Sequence, residues 1–180
     1  YVTDGDKTYQ VQLKLGIETD TLDSTGEILK TTPVSSSVSE VLQTASKISG
    51  EISLPIPMYS AKKIDGKKLY EYARENEVVE QPKKIMKFWD IGSLTQGPEH
   101  TFSFELSCSK GSFIRSWVSE LGSRLGCGAA MTGLRRTRSA LFNVEQAITI
   151  DKLKELAGNG EKPPLIPLTE AINEVKKLKV

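Results

Sequence analysis

Two stretches of the chain, Lys7–Leu15 and Thr101–Cys108, alternate between apolar and polar residues. Successive side chains of a β-strand point to opposite faces, so a period of two is typical of a strand with one buried face. Both stretches are therefore predicted to be half-buried strands. Their apolar positions are Tyr9, Val11, Leu13 and Leu15 in the first stretch, and Phe102, Phe104, Leu106 and Cys108 in the second.

Other stretches repeat apolar residues at helical spacing. Ser37 and Glu40 have the spacing of a capping box, before a helix that Gly50 is predicted to end. The apolar residues of 114–125 predict a second amphipathic helix, with Gly126 at its C-terminal end. Shorter helices are predicted from about Lys67 to Glu75, from Ile150 to Ala157 with Asp151 as the cap and Gly158 at the end, and from Thr169 to Lys177.

The remaining stretches favour strands and extended chain. Pro55 and Pro57 each remove an amide donor, so the segment 54–61 is predicted to be extended, and neither a regular helix nor a central strand. Further strands are predicted at 27–30, after Pro82 and at 131–138. Because strands outnumber helices and do not alternate regularly with them, we predict an α+β fold, with a largely antiparallel mixed sheet flanked by helices.

The junction between the second strand and the helix that follows it concentrates polar chemistry. It contains Lys110 and Gly111, the amides of the first helical turn, and Arg115 about one turn later. Free amides at a helix start together with cations suit an anion. The alternative is a loop with two solvated cations, because a Ser-Lys-Gly sequence alone is weak evidence for a site.

Length and composition narrow the class of protein. The 180 residues suit one domain with at most a short appendage, and no apolar run reaches the roughly 18 residues of a membrane span. The single histidine, His100, makes a histidine-based triad improbable. Two cysteines without partner histidines make no zinc site. They indicate a reduced, cytosolic environment, although one disulfide between Cys108 and Cys127 remains open.

Charge is unevenly distributed along the chain. The stretch from Ser60 to Ala140 holds 14 lysines and arginines against 9 acidic residues, while the net charge of the whole chain is only +1. A basic middle fits a polyanionic partner, and it also fits an ordinary solvated surface.

Several short motifs occur in one order from Lys7 to about Asp151, and their combination is far more specific than any one of them. The ordered set closely resembles the TruB-type tRNA pseudouridine synthases. The motifs are Lys7-x-Tyr9, Leu15-Gly16-x-x-Thr19-Asp20-Thr21-x-Asp23, Pro57-x-Tyr59-Ser60-Ala61-x-Lys63, Gly66-Lys67-x-Leu69-Tyr70-x-x-Ala73-Arg74, Cys108-Ser109-Lys110-Gly111-x-x-Ile114-Arg115, Leu121-Gly122, Leu125-Gly126 and Leu134-Arg135-Arg136.

The resemblance implies a cytoplasmic, monomeric enzyme with a pseudouridine synthase-like fold that acts on the T stem-loop of tRNA. Such enzymes flip uridine 55 out of the loop, break its N-glycosidic bond, rotate the base and rejoin it through carbon. No metal or organic cofactor is implied. Flipping is physically required because a stacked base is sterically inaccessible, and unstacking costs only a few kcal/mol.

The resemblance also assigns roles to individual residues. Tyr9 resembles the active-site tyrosine that packs on the flipped base, although periodicity alone favours a core tyrosine. Arg115 resembles the arginine that pairs with the catalytic aspartate, and its alternative is a phosphate contact or a surface cation. Asp23 resembles a second acidic residue of the pocket, whereas Asp20 is expected to hold the turn. The residues implied in substrate binding are Leu134, beside the target base, and Lys63, Lys67, Lys110, Arg135 and Arg136, on a phosphate-binding surface.

One family motif has no counterpart in this sequence. The nucleophilic aspartate of the family lies in a Gly-x-Leu-Asp-Pro segment that precedes the Tyr9 strand, so we expect it upstream of Tyr1 and expect this chain alone to be inactive. We assign residues 1–157 to the catalytic domain and 158–180 to a linker toward a C-terminal RNA-binding domain. The absence of the nucleophile leaves two alternatives open: a non-catalytic RNA-binding or tRNA-folding module of the same fold, and a structural remnant without an RNA role.

Overall fold

The strand β1 (Lys7–Leu15) lies at the middle of the sheet, between β9 (Thr101–Cys108) and β10 (Ala129–Ser139), and pairs antiparallel with both. The computed structural model describes residues 5–92 and 94–177, of which 174–177 are described by their backbone alone. The predicted alternation is confirmed, since Val11, Leu13 and Leu15 are at most 1% exposed. The predicted α+β class is confirmed as well.

Within the described residues, seven strands form one antiparallel sheet. Their order is β11-β10-β1-β9-β7-β4, with β8 paired to β9, and two hairpins, β2-β3 and β5-β6, stand apart. The other strands are β2 (Ile17–Thr19), β3 (Ile28–Thr31), β4 (Gly50–Pro55), β5 (Lys63–Ile64), β6 (Lys67–Lys68), β7 (Lys83–Trp89), β8 (Thr95–Gln96) and β11 (Phe142–Asn143), and the helices are α1 (Val38–Lys47), α2 (Leu69–Arg74), α3 (Ile114–Arg124), α4 (Ile150–Gly158) and α5 (Leu168–Lys177).

We call the side of the sheet that carries Val11 and Leu13 the front face; helices α1 and α3 and the core lie on this side. Trp117 of α3 is fully buried in that core, between the rings of Phe88 and Phe104. The opposite side, the back face, presents the polar residues of β1. The packing of α3 on the front face fixes the position of its first turn, where Arg115 lies.

The predicted helices are present, but two of their ends differ from the prediction. The capping box of Ser37 and Glu40 forms as expected, yet α1 ends at Lys47 and Gly50 is the first residue of β4. Helix α4 is capped by the Thr149 hydroxyl, and Asp151 lies in its first turn. Helix ends are the least certain part of a pattern-based prediction, because residues that favour a cap also occur one to three positions away from the true end.

Cys108 and Cys127 are both free and buried, so the disulfide that the sequence left open is not formed. Burial raises the pKa of the Cys108 thiol to about 11, against a smaller lowering by the charge of Lys7. The thiol therefore stays protonated at neutral pH. In the described ranges, 5–92 and 94–177, no group of three or more histidine, cysteine or acidic side chains could hold a metal ion.

None of the described helices is both long and apolar enough to cross a membrane.

Candidate active site

Arg115, in the first turn of α3, joins two loops that come from distant parts of the sequence. Its guanidinium donates to the Thr21 carbonyl oxygen at 2.8 Å and to the Tyr59 carbonyl oxygen at 2.9 Å. The same group contacts the Asp23 carboxylate at 3.3 Å, and its side chain is 21% exposed. Arg115 is therefore not a solvated surface cation. It is a fixed positive charge held at the start of a buried helix.

The Asp23 carboxylate is held by donors from its own turn. Oδ1 accepts from the Thr21 hydroxyl at 2.8 Å, from the Thr25 hydroxyl at 2.6 Å and from the Thr25 amide at 3.0 Å. The turn closes tightly at Gly26, where an added Cβ would collide with the side chains of Asp20 and Thr21. Oδ2 is left to face Arg115, so both oxygens of the carboxylate have fixed partners.

The turn that carries Asp23 is also attached to β10. The Ser24 amide donates to the Met131 carbonyl at 2.8 Å, and the Met131 amide donates to the Leu22 carbonyl at 3.1 Å. Asp23 and Met131 form an isolated parallel bridge. A strand of the main sheet therefore sets the position of the acidic residue.

The Asp23 environment keeps the carboxylate ionised. Burial alone would raise its pKa, but the hydrogen bonds from Thr25 and Thr21 and the charge of Arg115 together lower it below the ordinary value of 3.8. A carboxylate that stays charged next to an arginine can orient that arginine at any physiological pH.

We expect Asp23→Asn to destabilise the fold near neutral pH and to lose this effect in acid. The folded-state pKa of Asp23 is lowered, so its carboxylate stabilises the fold above the unfolded value near 3.8, and this contribution disappears as the pH falls through the folded value. Thermal unfolding of the wild-type chain and of Asp23→Asn, from neutral pH to about pH 2.5, measures this contribution to stability. Asp151→Asn, at a side chain that is 97% exposed, is the matched control. If the stability difference between wild type and Asp23→Asn were the same at every pH, the expectation would be contradicted.

Asp20 holds the turn, as predicted, and it also contacts Tyr59. Its Oδ1 accepts from the Glu27 amide at 2.8 Å. A hydrogen bond from the Tyr59 hydroxyl to Asp20 raises the pKa of Tyr59. The Tyr59 backbone binds Arg115 while its side chain binds the turn, so this residue links the 57–61 segment to both.

Tyr9 is half-buried on the front face of β1, opposite Arg136 of β10. Burial and the neighbouring Cys108 raise the pKa of the phenol, while the charge of Arg136 and its hydrogen bond to the phenol lower it, with a net rise. Leu134, opposite Val11, lies on the same face and is 45% exposed. Strand β10 thus carries the site from Met131, which holds the Asp23 turn, through Leu134 to Arg136 beside Tyr9.

The cations predicted to contact phosphates do not form one surface. Arg135 pairs with Gln10 and lies on the back face, in a depression of about 440 Å³ that Arg138 also lines. Lys67 of β6 is bound by Glu75 and by Glu77, the latter at 2.9 Å, which raises the pKa of its ammonium to about 12. Lys63, on β5, and Lys110, before α3, are exposed.

Sequence reasoning missed the acceptors and donors that organise the site. The carbonyl oxygens of Thr21 and Tyr59 orient Arg115, and the Thr21 and Thr25 hydroxyls orient Asp23. Backbone carbonyls leave no signal in a sequence. The threonines that flank Asp23 were a usable signal, because hydroxyl residues two positions from an aspartate commonly bond to it in turns.

Nearly the whole chain matches models of one protein family. Residues 1–114 match the family described as TruB family pseudouridylate synthase (N terminal domain), and residues 115–175 match the tRNA pseudouridylate synthase B C-terminal domain. The two matches meet at the start of α3, and both contribute strands to the one sheet. The domain boundary at residue 157 stays a prediction.

Relatives named tRNA pseudouridine synthase B cover essentially the whole chain. The protein of Bdellovibrio bacteriovorus is 45% identical over 100% of this chain and 59% of its own length. That of Bacillus subtilis is 36% identical over 98% of this chain and 60% of its own length. The chain thus spans about 60% of the length of these relatives.

A solved structure titled as a Cbf5-Nop10-Gar1 complex shares the fold, with a TM-score of 0.59 at 22% identity over 87% of this chain and 39% of that one. The family match covers more than half of the sequence. The chain belongs to the TruB family of pseudouridylate synthases.

Proposed function

We propose that this chain forms the uridine-binding side of a tRNA pseudouridine synthase that converts uridine 55 of the T loop to pseudouridine. The observation that carries the proposal is the charged contact between Arg115 and Asp23, built next to the strand that presents Leu134 and Arg136. A core does not need a partly buried ion pair at this place, because such pairs contribute little net stability. A catalytic site that must orient a carboxylate does need such an ion pair.

The side chains supply three functions in this reaction. The positively charged guanidinium of Arg115 can hold a catalytic carboxylate ionised and oriented. Leu134 offers exposed apolar surface on the front face, against which a flipped base can pack. The half-buried ring of Tyr9, on the same face, can stack on that base, and its hydroxyl can donate or accept a hydrogen bond. We place the attacking aspartate in the family's Gly-x-Leu-Asp-Pro segment, upstream of Tyr1.

The partner that we propose is the T stem-loop of tRNA, bound by a monomer in the cytoplasm without a cofactor. Phosphate contacts would come from Lys63 and Lys110 rather than from Arg135, which lies on the other side of the sheet. Lys67 would have to leave two carboxylates to reach a phosphate. Binding should weaken steeply with salt, as expected for contacts to a polyanion.

Tritium release from a T-arm hairpin labelled at carbon five of uridine tests the proposal. We compare the 180-residue chain with a chimera that adds the upstream segment of the Bdellovibrio relative, and with the same chimera in which the Gly-x-Leu-Asp-Pro aspartate is replaced by asparagine. We expect release by the first chimera only.

Release by the asparagine chimera, or by the short chain itself, would show that another residue is the nucleophile. A folded chimera that binds the hairpin without releasing tritium would favour the non-catalytic RNA-binding module.

A further inference from the structure

Strand β10 contains one more residue than β1 at the point where the two strands pass Tyr9. Thr8 pairs with Arg138 and Tyr9 pairs with Arg136, so Thr137 is an additional residue in the ladder. Such a β-bulge twists the strand locally and is frequent beside active sites, where it directs a side chain. Residues two apart on a regular strand share a face. Because of the bulge, Arg136 and Arg138 do not.

The back face holds the bulge in place through a small polar network. The Thr8 and Ser107 hydroxyls are both buried and lie 2.9 Å apart. Arg138 donates from Nε to the Thr8 hydroxyl at 3.1 Å and from Nη1 to the Ala140 carbonyl at 3.1 Å. The Thr137 hydroxyl donates to the Thr8 carbonyl at 3.3 Å. Buried hydroxyls of this kind are costly unless paired, so the network favours the bulged register.

On the front face, the bulge leaves Arg136 directly across from Tyr9, and the guanidinium bonds to the phenol. Arginine has donors and no acceptor, so the phenol oxygen must accept in this contact. Its own hydrogen is then directed elsewhere. Leu106, which pairs with Tyr9 from β9, is apolar and cannot accept that hydrogen, and the buried, protonated Cys108 thiol is only a weak acceptor.

We propose that Arg136 is a positioning residue for Tyr9: it occupies the phenol oxygen as a donor and fixes the ring, so that the hydroxyl hydrogen faces the base. This assigns Arg136 a role different from the phosphate contact implied by the family resemblance. The inference deepens the proposed function and rests on it for turnover, whereas the contact itself can be tested in the chain as it stands.

The first experiment follows the ionisation of Tyr9 in the 180-residue chain labelled with difluorotyrosine, whose phenol titrates near neutral pH. Fluorine resonances report each tyrosine separately, and loss of one signal in Tyr9→Phe identifies Tyr9. Because the charge of Arg136 lowers the pKa of Tyr9, we expect Arg136→Gln to raise the titration midpoint and Arg136→Lys to restore it partly. Arg135→Gln, one residue away on the back face, is the matched control and should leave the midpoint unchanged.

The second experiment measures turnover in the chimera with the restored upstream segment. We expect Arg136→Gln to lower kcat by about tenfold or more, with KM for the hairpin within about twofold, as expected for misplacement of a reacting group.

An unchanged Tyr9 midpoint in a folded Arg136→Gln chain, or an equal shift in Arg135→Gln, would overturn the proposed contact. A raised KM with unchanged kcat would make Arg136 an RNA contact instead. If every chimera is inactive, the proposed function fails, and the fluorine titration still decides whether Arg136 positions Tyr9.

Discussion

Replacing Arg115 by alanine in the chimera should reduce turnover by about 100-fold or more while changing hairpin affinity only slightly. The guanidinium is held by two carbonyl oxygens and a carboxylate, and under the proposed function it orients the catalytic carboxylate. Removing it leaves Asp23 charged and without its cation. The site would lose both the charge that holds a catalytic carboxylate and one of the two links between the 20–26 turn and Tyr59, since the hydrogen bond from the Tyr59 hydroxyl to Asp20 does not involve Arg115.

Tritium release at saturating hairpin gives kcat, and filter binding gives affinity. Arg124→Ala is the matched control, because Arg124 lies in the same helix, is 41% exposed and pairs only with Glu120 among the contacts described for its side chain. We expect the control to retain full turnover. Loss of affinity by Arg115→Ala with kcat preserved would instead assign Arg115 to phosphate binding. Unfolding curves of both variants separate a catalytic defect from a folding defect.

Trp117→Ala should destabilise the chain by about 3–5 kcal/mol. The indole is fully buried between Phe88 and Phe104, with ring centroids at 6.3 and 5.2 Å, and its Nε1 donates to the Ile48 carbonyl at 3.2 Å. Truncation therefore creates a cavity and leaves a carbonyl oxygen without its donor. Domains of this size are stable by about 5–15 kcal/mol in total, so the loss is a large fraction of what is available.

Urea unfolding followed by circular dichroism measures this loss. Trp89→Ala makes the same chemical change on β7, at a side chain that is only partly buried and contacts Lys87, and should cost about 1 kcal/mol. Equal losses in the two variants would mean that Trp117 is not the centre of the core. Because Trp117 is two residues from Arg115, a partial loss of packing should also reduce turnover before the chain unfolds.

The sequence predicted the central strands correctly because each has one buried face. Strands β1 and β9 alternate with period two, and their apolar front-face residues are buried or, at Tyr9, half-buried. Burial departs from the alternation at Thr8 and Ser107, which are buried on the back face. The edge strand β4 was not predicted beyond an extended segment around its end, because Pro55 lacks an amide donor and central pairing was excluded. At an edge, that missing donor costs nothing.

The candidate site could be assembled from the sequence only through the family motifs. Asp23 and Arg115 are 92 residues apart, and no periodicity relates them. Arg135 and Arg136 are adjacent and equally basic, and the pairing register of β10 decides which of the two lies on the same face as Tyr9. Register is set by hydrogen bonds between strands, which a single sequence does not display.

The two bulges of β10 decide where this strand can change in length. Register shifts lie at Thr137 and between the partners of Gln12 and Leu13, where Thr132 is the additional residue. Deleting an additional residue restores regular alternation and leaves every other side chain on its face. Deleting Leu134 or Gly133 would exchange the faces of all residues on one side of the gap. Single-residue insertions and deletions among homologous chains are thus expected to collect at Thr132 and Thr137, with the span between them constant in length.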